Sequence, residues 1–395
     1  MFYIWLLISL SALFNETIYD DTLYKKVQQK LILAKEGEVI ELPEGKYFFN
    51  RSLWGDNLKN VTINGAGIDK TIISFEKQIE GAEGIKIVNS EKIALQNFTI
   101  ENSRGDLIKV EDSVGVIFNN VRAQWTYGPK ETNGAYAFYP VKCKNILIDR
   151  CVAIGASDAG IYVGQSSNII VRNSEAFNNV AGIEIENSTF AKVYNNYTHD
   201  NTGGILIFDL PDLLVKKGGY VSVYNNNVSN NNLSNFAPEG NIVAKVPTGT
   251  GIMIMATSDV QVYNNQISNN KTANTSIVSY YITEELITDS LYYPYPNSIY
   301  IYNNSYQREK QFPSFSIKQP IGFLLSYYFW RDIPDIIYDG IIDSSLVKNN
   351  QIIDDYRICI QNNENADFVN LDFANNFKNL SQDLSFYNCE HKKFE

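Results

Sequence analysis

The sequence predicts an all-β solenoid, and three observations carry that reading: a short strand motif that recurs, a spacing near 23 residues, and asparagine at the motif's end. Asn145-Ile-Leu-Ile-Asp-Arg150, Asn168-Ile-Ile-Val-Arg-Asn173 and Ala191-Lys-Val-Tyr-Asn-Asn196 are versions of one pattern, which returns at Val221–Asn226, Val260–Asn265 and Ile299–Asn304. Ile148 to Val171 is 23 residues, and Val171 to Tyr194 reads as the same 23-residue step. A unit this small cannot bury its own apolar face, so units must stack on one another into a continuous core.

Two strands are legible in each unit from about Ile63 onward. The first follows a Gly or another small residue, as in Gly84-Ile-Lys-Ile87, Gly160-Ile-Tyr-Val163, Gly182-Ile-Glu-Ile185, Gly204-Ile-Leu-Ile207 and Gly251-Ile-Met-Ile254. The second is the recurring motif. Alternation sends the branched side chains inward and the middle residue outward. Asn97, Asn120, Asn173, Asn196, Asn226, Asn265 and Asn304 read as one corner column, with Arg150 interrupting it. Asn tolerates the left-handed backbone of a tight corner, and its amide can reach the Asn of the next rung. Ahead of the rungs, Asp21–Ala34 carries Leu23, Val27 and Leu31 on one helical face. That helix is expected to cover the open end and unpaired edge of the first rung. One domain over residues 17–395 follows, with a cap at 17–40, regular rungs over 60–304, and irregular rungs with a C-terminal cap over 305–395.

Of the 395 residues, 44% are apolar and 19% charged, which excludes a disordered chain. The net charge of −11 argues against nucleic acid or anionic lipid as the main partner, while leaving room for a local basic groove that binds an acidic glycan. Residues 1–14 are apolar apart from Ser9 and Ser11 and too short to span a bilayer. They read as a secretory signal, so a periplasmic or secreted monomer with no membrane span is expected. Cys359 and Cys389, both in the irregular C-terminal region, are expected to pair; Cys143 and Cys151, on different edges of one rung, are expected to stay thiols.

The pattern x-Asn-Val-x-Ile-x-Asn-Asn…Gly-Ile-x-Ile resembles the right-handed parallel β-helix repeat over roughly Asn60 to Asn304. The wider, pectate-lyase-like superfamily includes pectate lyases, polygalacturonases, mannuronan C-5 epimerases and the periplasmic maturation protein of nitrous oxide reductase. The stretch Ile154-Gly-Ala-Ser-Asp-Ala-Gly-Ile-Tyr-Val-Gly-Gln-Ser166, with Phe208-Asp-Leu-Pro-Asp212, is similar to a group of bacterial exported β-helix proteins of undetermined activity. The resemblance implies a right-handed parallel β-helix. It does not extend to chemistry: the epimerases' Asp-Pro-His-Asp motif, the polygalacturonases' clustered Asp set and a catalytic Arg matching the pectate lyases are absent from the sequence.

Departures from the period point to a site. Asn120 to Arg150 and Asn196 to Asn226 are 30 residues each, and Asn226 to Asn265 is 39. The surplus lies in Trp125–Asn133, Asp209–Gly219 and Asn230–Val246, on both margins of the first-strand sheet, whose outward face thereby becomes the floor of a groove. The floor reads Lys86, Lys109, Tyr139, Tyr162, Glu184, Leu206 and Met253, with Val88, Glu111, Val141, Gly164, Glu186 and Phe208 two residues on. Outward residues of any sheet tend to be polar or aromatic, so each alone reads as structural. Together, aromatic faces beside both charge signs suit an extended polysaccharide or oligosaccharide. Lys130, Tyr139, Lys142, Tyr162 and Glu184 are the catalytic candidates: Lys130 or Lys142 as the cation on a uronate carboxylate, Tyr139 or Tyr162 as the proton-transfer group, and Glu184 for acid–base work. Lys109, Trp125, Tyr127, Glu186 and Asp209 are the substrate-binding candidates. Trp125→Ala and Tyr162→Phe are expected to change binding and turnover with little effect on thermal stability.

No cofactor is expected; with His199 and His391 the only histidines, a transition-metal site is disfavoured, and only a Ca²⁺ site at Asp209 and Asp212 enters consideration. A lyase or epimerase is ranked before a hydrolase. The alternatives are a non-catalytic glycan- or surface-binding β-helix and a periplasmic partner of a metalloprotein or electron-transfer maturation system.

Overall fold

In a computed structural model of the protein, residues 21–394 are described apart from Lys77 and Asn350, so the expected export segment lies outside the described residues. The chain coils into parallel rungs. The first strands form one sheet of 11 among the described residues, running from Arg51–Asp56 through Ile108–Glu111, Tyr136–Val141, Ala159–Gly164, Ala181–Glu186 and Gly203–Phe208 to Phe368–Asn370. Along its inner face Ile85, Ile108, Phe138, Ile161, Ile183, Ile205 and Ile252 pair rung to rung, all fully buried. Each such side chain stabilises the coil by roughly 1.5–3 kcal/mol.

The second strands stack likewise, and the register corrects the period. Val171 pairs with Val193, so that rung has 22 residues, one fewer than the sequence reading assumed. A third strand completes each rung, at Val152–Ile154, Glu175–Phe177, Tyr197–His199, Asn227–Ser229, Gln266–Ser268 and Ser305–Gln307. With three residues and a single inward side chain, such as Ala153 or Val228, it leaves no alternation for the sequence to display. His199 ends one of these short strands, stacked between Phe177 and Tyr197.

The asparagine column divides into two. Asn97, Asn120, Arg150 and Asn173 are left-handed corner residues, and the positions equivalent to them in later rungs are Asn195, Asn225, Asn264 and Asn303. Asn196, Asn226, Asn265 and Asn304 sit one residue further on and form a buried ladder, each Nδ2 donating to the next Oδ1 at 2.9–3.0 Å. A second buried ladder runs Asn179, Asn201, Asn231 and Asn270 at the corner before the first strand, and ends where Asn270 donates to Asn274 within the next strand. Buried amides satisfied in this way hold the rung register, because a slip would orphan every one.

Helix Asp21–Leu33 closes the N-terminal end with Val27 and Leu31 buried. Its Gln28 amide donates to Trp54 O and accepts from Trp54 N, at 2.8 and 2.9 Å, which occupies backbone groups of the terminal strand. At the other end a disulfide joins Cys359 to Cys389, while Cys143 and Cys151 are buried thiols. No helix among the described residues is long and apolar enough to cross a membrane.

Candidate functional site

The outward column of the first sheet has the register the alternation predicts: Lys86 pairs with Lys109, Lys109 with Tyr139, Tyr162 with Glu184, Glu184 with Leu206, and Leu206 with Met253. Its surroundings are not uniform. Over the early rungs the face is open. Lys109 and Lys142 hold Glu111 between them at 3.4 and 3.2 Å, and the Lys109 ammonium lies 4.8 Å from the centre of the Tyr139 ring. Tyr139 is half-buried in a cluster of three rings, with Tyr136 4.4 Å and Tyr162 5.1 Å away.

From Tyr162 onward the groove floor is covered, which corrects the expectation of a groove running along the whole sheet. The insertion after Ser229 folds back over the face and buries Val243 and Val246 against Tyr162, Leu206, Phe208 and Met253, while Tyr280 and Tyr292 close the next rungs. This second apolar core lies outside the coil. It leaves Tyr162 4% and Glu184 1% exposed.

Beneath the cover four carboxyls gather. Asp158, Glu184, Glu186 and Asp209 are all buried, and no ion pair compensates any of them among the described residues. Tyr162 donates to Glu186 Oε1 at 2.6 Å. The missing side chain of Gly164 makes that reach possible, since a Cβ there would lie 2.1 Å from the phenol oxygen. Tyr136 donates to Asp158 at 3.4 Å, and Asn241 of the covering loop donates to the same carboxylate at 3.4 Å. Glu184 Oε2 has no partner. Burial dominates the electrostatics: it pushes Asp158 up to about 8 with Glu186 adding to the rise, holds Glu184 well above the carboxylate range, and raises Glu186 to about 7 against the Tyr162 hydrogen bond. Burial likewise lifts Asp209 to about 8, although it accepts from Gly218 N–H at 2.7 Å. Tyr162 is held well above its usual value by burial and then by Glu186, so its proton stays on.

Tyr139, Lys142, Tyr162, Glu184, Lys109 and Glu186 thus come to one end of the groove, with Asp209 further along. The Trp125–Asn133 loop does not join them. Trp125, expected as an exposed stacking platform, is a core residue at 5% exposure whose Nε1 donates to Ser103 O at 3.0 Å. The loop leans the other way, toward the N terminus: Tyr127 donates to Glu76 at 2.6 Å, and Lys130 packs over the Tyr127 ring. Asp209 is buried while Asp212 is exposed, and no group of three or more His, Cys, Asp or Glu among the described residues is placed to hold a metal ion. Tyr136 and Asn241 are the contributors that the sequence does not place in the site. Tyr136 begins the strand Tyr136–Val141, three residues before Tyr139, so alternation would set the two on opposite faces and does not foretell that their rings meet; Asn241 comes from a loop whose course no periodicity predicts.

Residues 83–217 match the family model described as a right handed beta helix region. No curated protein matches by sequence. Among solved structures, the chain is similar to the Azotobacter vinelandii mannuronan C-5 epimerase AlgE4 A-module, at 13% identity over 88% of this chain and 91% of that one, with a TM-score of 0.52. The Streptococcus pneumoniae surface protein and adhesin PfbA gives 12% identity over 80% and 83%, with a TM-score of 0.48. The Pseudomonas phage phi297 tailspike gp61 gives 11% over 80% and 60%, with a TM-score of 0.45. The likeness to the epimerase module is one of fold. The chain is a right-handed parallel β-helix, and residues 83–217 carry the sequence signature of that architecture.

Proposed function

We propose that the protein binds an acidic polysaccharide over the open rungs at Lys109, Tyr139 and Lys142 and cleaves it by β-elimination at the Tyr162–Glu186 pair. The observation that carries this reading is the phenol and carboxyl in contact at 2.6 Å, where the lysine rim meets the buried acids. Lys109 and Lys142 would exchange Glu111 for a uronate carboxylate of the polymer and so anchor it on the rungs ahead of the Tyr162–Glu186 pair. Glu186, raised to about 7, is present both charged and neutral near neutral pH and is suited to act as the base, while Tyr162 keeps its proton and is suited to act as the acid. In the step, Glu186 takes the C5 proton, the C5–H electron pair becomes the C4=C5 double bond, and the C4–O4 bond breaks as O4 takes the Tyr162 proton. Glu186 then returns its proton to the phenolate.

Two groups in hydrogen-bond contact address one face of a sugar ring. That favours same-face elimination over epimerisation, which delivers the new proton to the opposite face. Hydrolysis needs two carboxyls across the scissile bond, whereas here the acids are packed as one group under one loop. The near-complete burial of Tyr162 and Glu184 favours a second reading, in which the cluster is closed and the rim alone binds glycan without turnover.

A panel of uronate and neutral polysaccharides, read by the ultraviolet absorbance of the unsaturated product and by calorimetry, separates the two. Turnover of a uronate polymer that Tyr162→Phe abolishes while binding persists supports the lyase. Binding without turnover supports the second reading, and the absence of any binding ends both.

A further inference from the structure

Residues 310–331 are a long stretch that the repeat does not explain. They contain Lys310, Lys318 and Arg331 and no Asp or Glu, in a chain with 44 acidic and 33 basic residues. Helix Ile321–Phe329 packs its buried Leu325 with Ile333, Ile337 and Val369 on the outer face of the first sheet's last rungs. Gly322 seats the helix on the segment before it, since a Cβ there would lie 1.9 Å from Ser314 O. The opposite side is apolar and uncovered: Ile317 is 94%, Tyr327 82% and Trp330 68% exposed, with Phe315 and Phe323 at 50% each. The rings are continuous. Trp330 meets Phe312 at 4.9 Å, Phe312 meets Phe315 at 5.9 Å, and Phe315 meets Phe323 at 5.0 Å.

We propose that this surface docks the protein on an anionic lipid bilayer, as a peripheral contact. Phe312, Phe315, Ile317 and Phe323 offer no hydrogen-bonding group, which suits acyl chains and not a sugar, whose hydroxyls need polar partners at the ring edge. Trp330 and Tyr327 are amphipathic rings fit for the headgroup level. The cations frame the patch: Arg331 lies over the Phe312 ring at 5.7 Å, Lys318 is exposed, and Lys310 is held by Asp332 at 2.6 Å, a partner that a lipid phosphate can replace. The net charge of −11 repels an anionic surface from most orientations, so this acid-free stretch determines which face approaches. The inference does not depend on the polysaccharide reading.

The test is flotation of the full chain with vesicles of phosphatidylcholine alone and of phosphatidylcholine mixed with phosphatidylglycerol. The chain is expected to float with the mixed vesicles only, and less so as salt is raised. The double substitution Phe315→Ser and Phe323→Ser, at half-exposed positions, should weaken partitioning by about tenfold or more with an unchanged melting temperature. Lys318→Gln with Arg331→Gln should remove most of the salt dependence. Absence of flotation, or flotation unaffected by the serine variant, overturns the proposal. So does sedimentation showing a dimer that the serine variant dissociates, or oligosaccharide binding that the same variant abolishes.

Discussion

Glu111 and Glu186 occupy the same outward column of one sheet, three rungs apart, and share little else. At about 4.8 Å per rung they are roughly 14 Å from each other. Glu111 lies on the open face, where partial burial would raise it but Lys142 and Lys109 outweigh that and hold it below the usual carboxylate value. Glu186 lies where the loops close over the sheet, and burial lifts it to about 7 with only the Tyr162 phenol to support its charge. The coil supplies equivalent positions, and what folds over them sets their acidity.

The largest test of that contrast is pH. Asp158, Glu184, Glu186 and Asp209 titrate above the unfolded value near 4, so the folded chain binds these protons more tightly than the unfolded one. The stability they contribute is complete below about pH 4 and is lost as pH rises toward about 8. With each tenfold change in proton affinity worth about 1.4 kcal/mol, the melting temperature should fall clearly between about pH 5 and pH 8.5. Asp158→Asn with Glu184→Gln should flatten the fall, and a flat profile for the unmodified chain would break the comparison.

Next in size is Trp125→Ala. Its indole is inside the coil, so the cost should be about 3–5 kcal/mol in denaturant unfolding, with glycan binding following stability and not a lost stacking contact. Tyr162→Phe sharpens the contrast at the boundary. Loss of a buried hydrogen bond to a carboxyl should cost about 1–3 kcal/mol and shift the pH-dependent fall in stability upward, because Glu186 loses the donor that favours its charged form. Glu111→Gln is the smallest change for stability, at about 1 kcal/mol, since the site is only partly buried and the amide can still accept from either lysine. It should raise affinity for polyanions in a salt-dependent way, which titration at two ionic strengths would measure.

Much of the coil was legible in the chain because its signals are local and repeated. The first and second strands alternate, so Lys109, Tyr139, Tyr162 and Glu184 could be placed on one column from sequence alone. The third strand was not legible, with one inward residue per rung. The asparagine column was read one residue out of phase because a 22-residue rung looks like a 23-residue one when consecutive asparagines stand at the corner. Trp125 was misplaced for a related reason: an insertion announces that a loop exists but not the direction in which it leaves the corner.

By itself the sequence determined the stacking and the outward column, since periodicity and alternation are properties of neighbours along one chain; the pairing of Cys359 with Cys389, expected from their shared place in the C-terminal region, is realised by the fold. Only the tertiary structure decided which outward residues see water. Whether Glu184 is a groove residue or a buried acid depends on Val243 and Val246, about 60 positions later, joining Tyr162 and Leu206 in one apolar cluster. Burial, more than any residue in contact with them, sets the protonation of Glu184, Glu186 and Asp158, because the cost of desolvating a charge depends on everything that surrounds it.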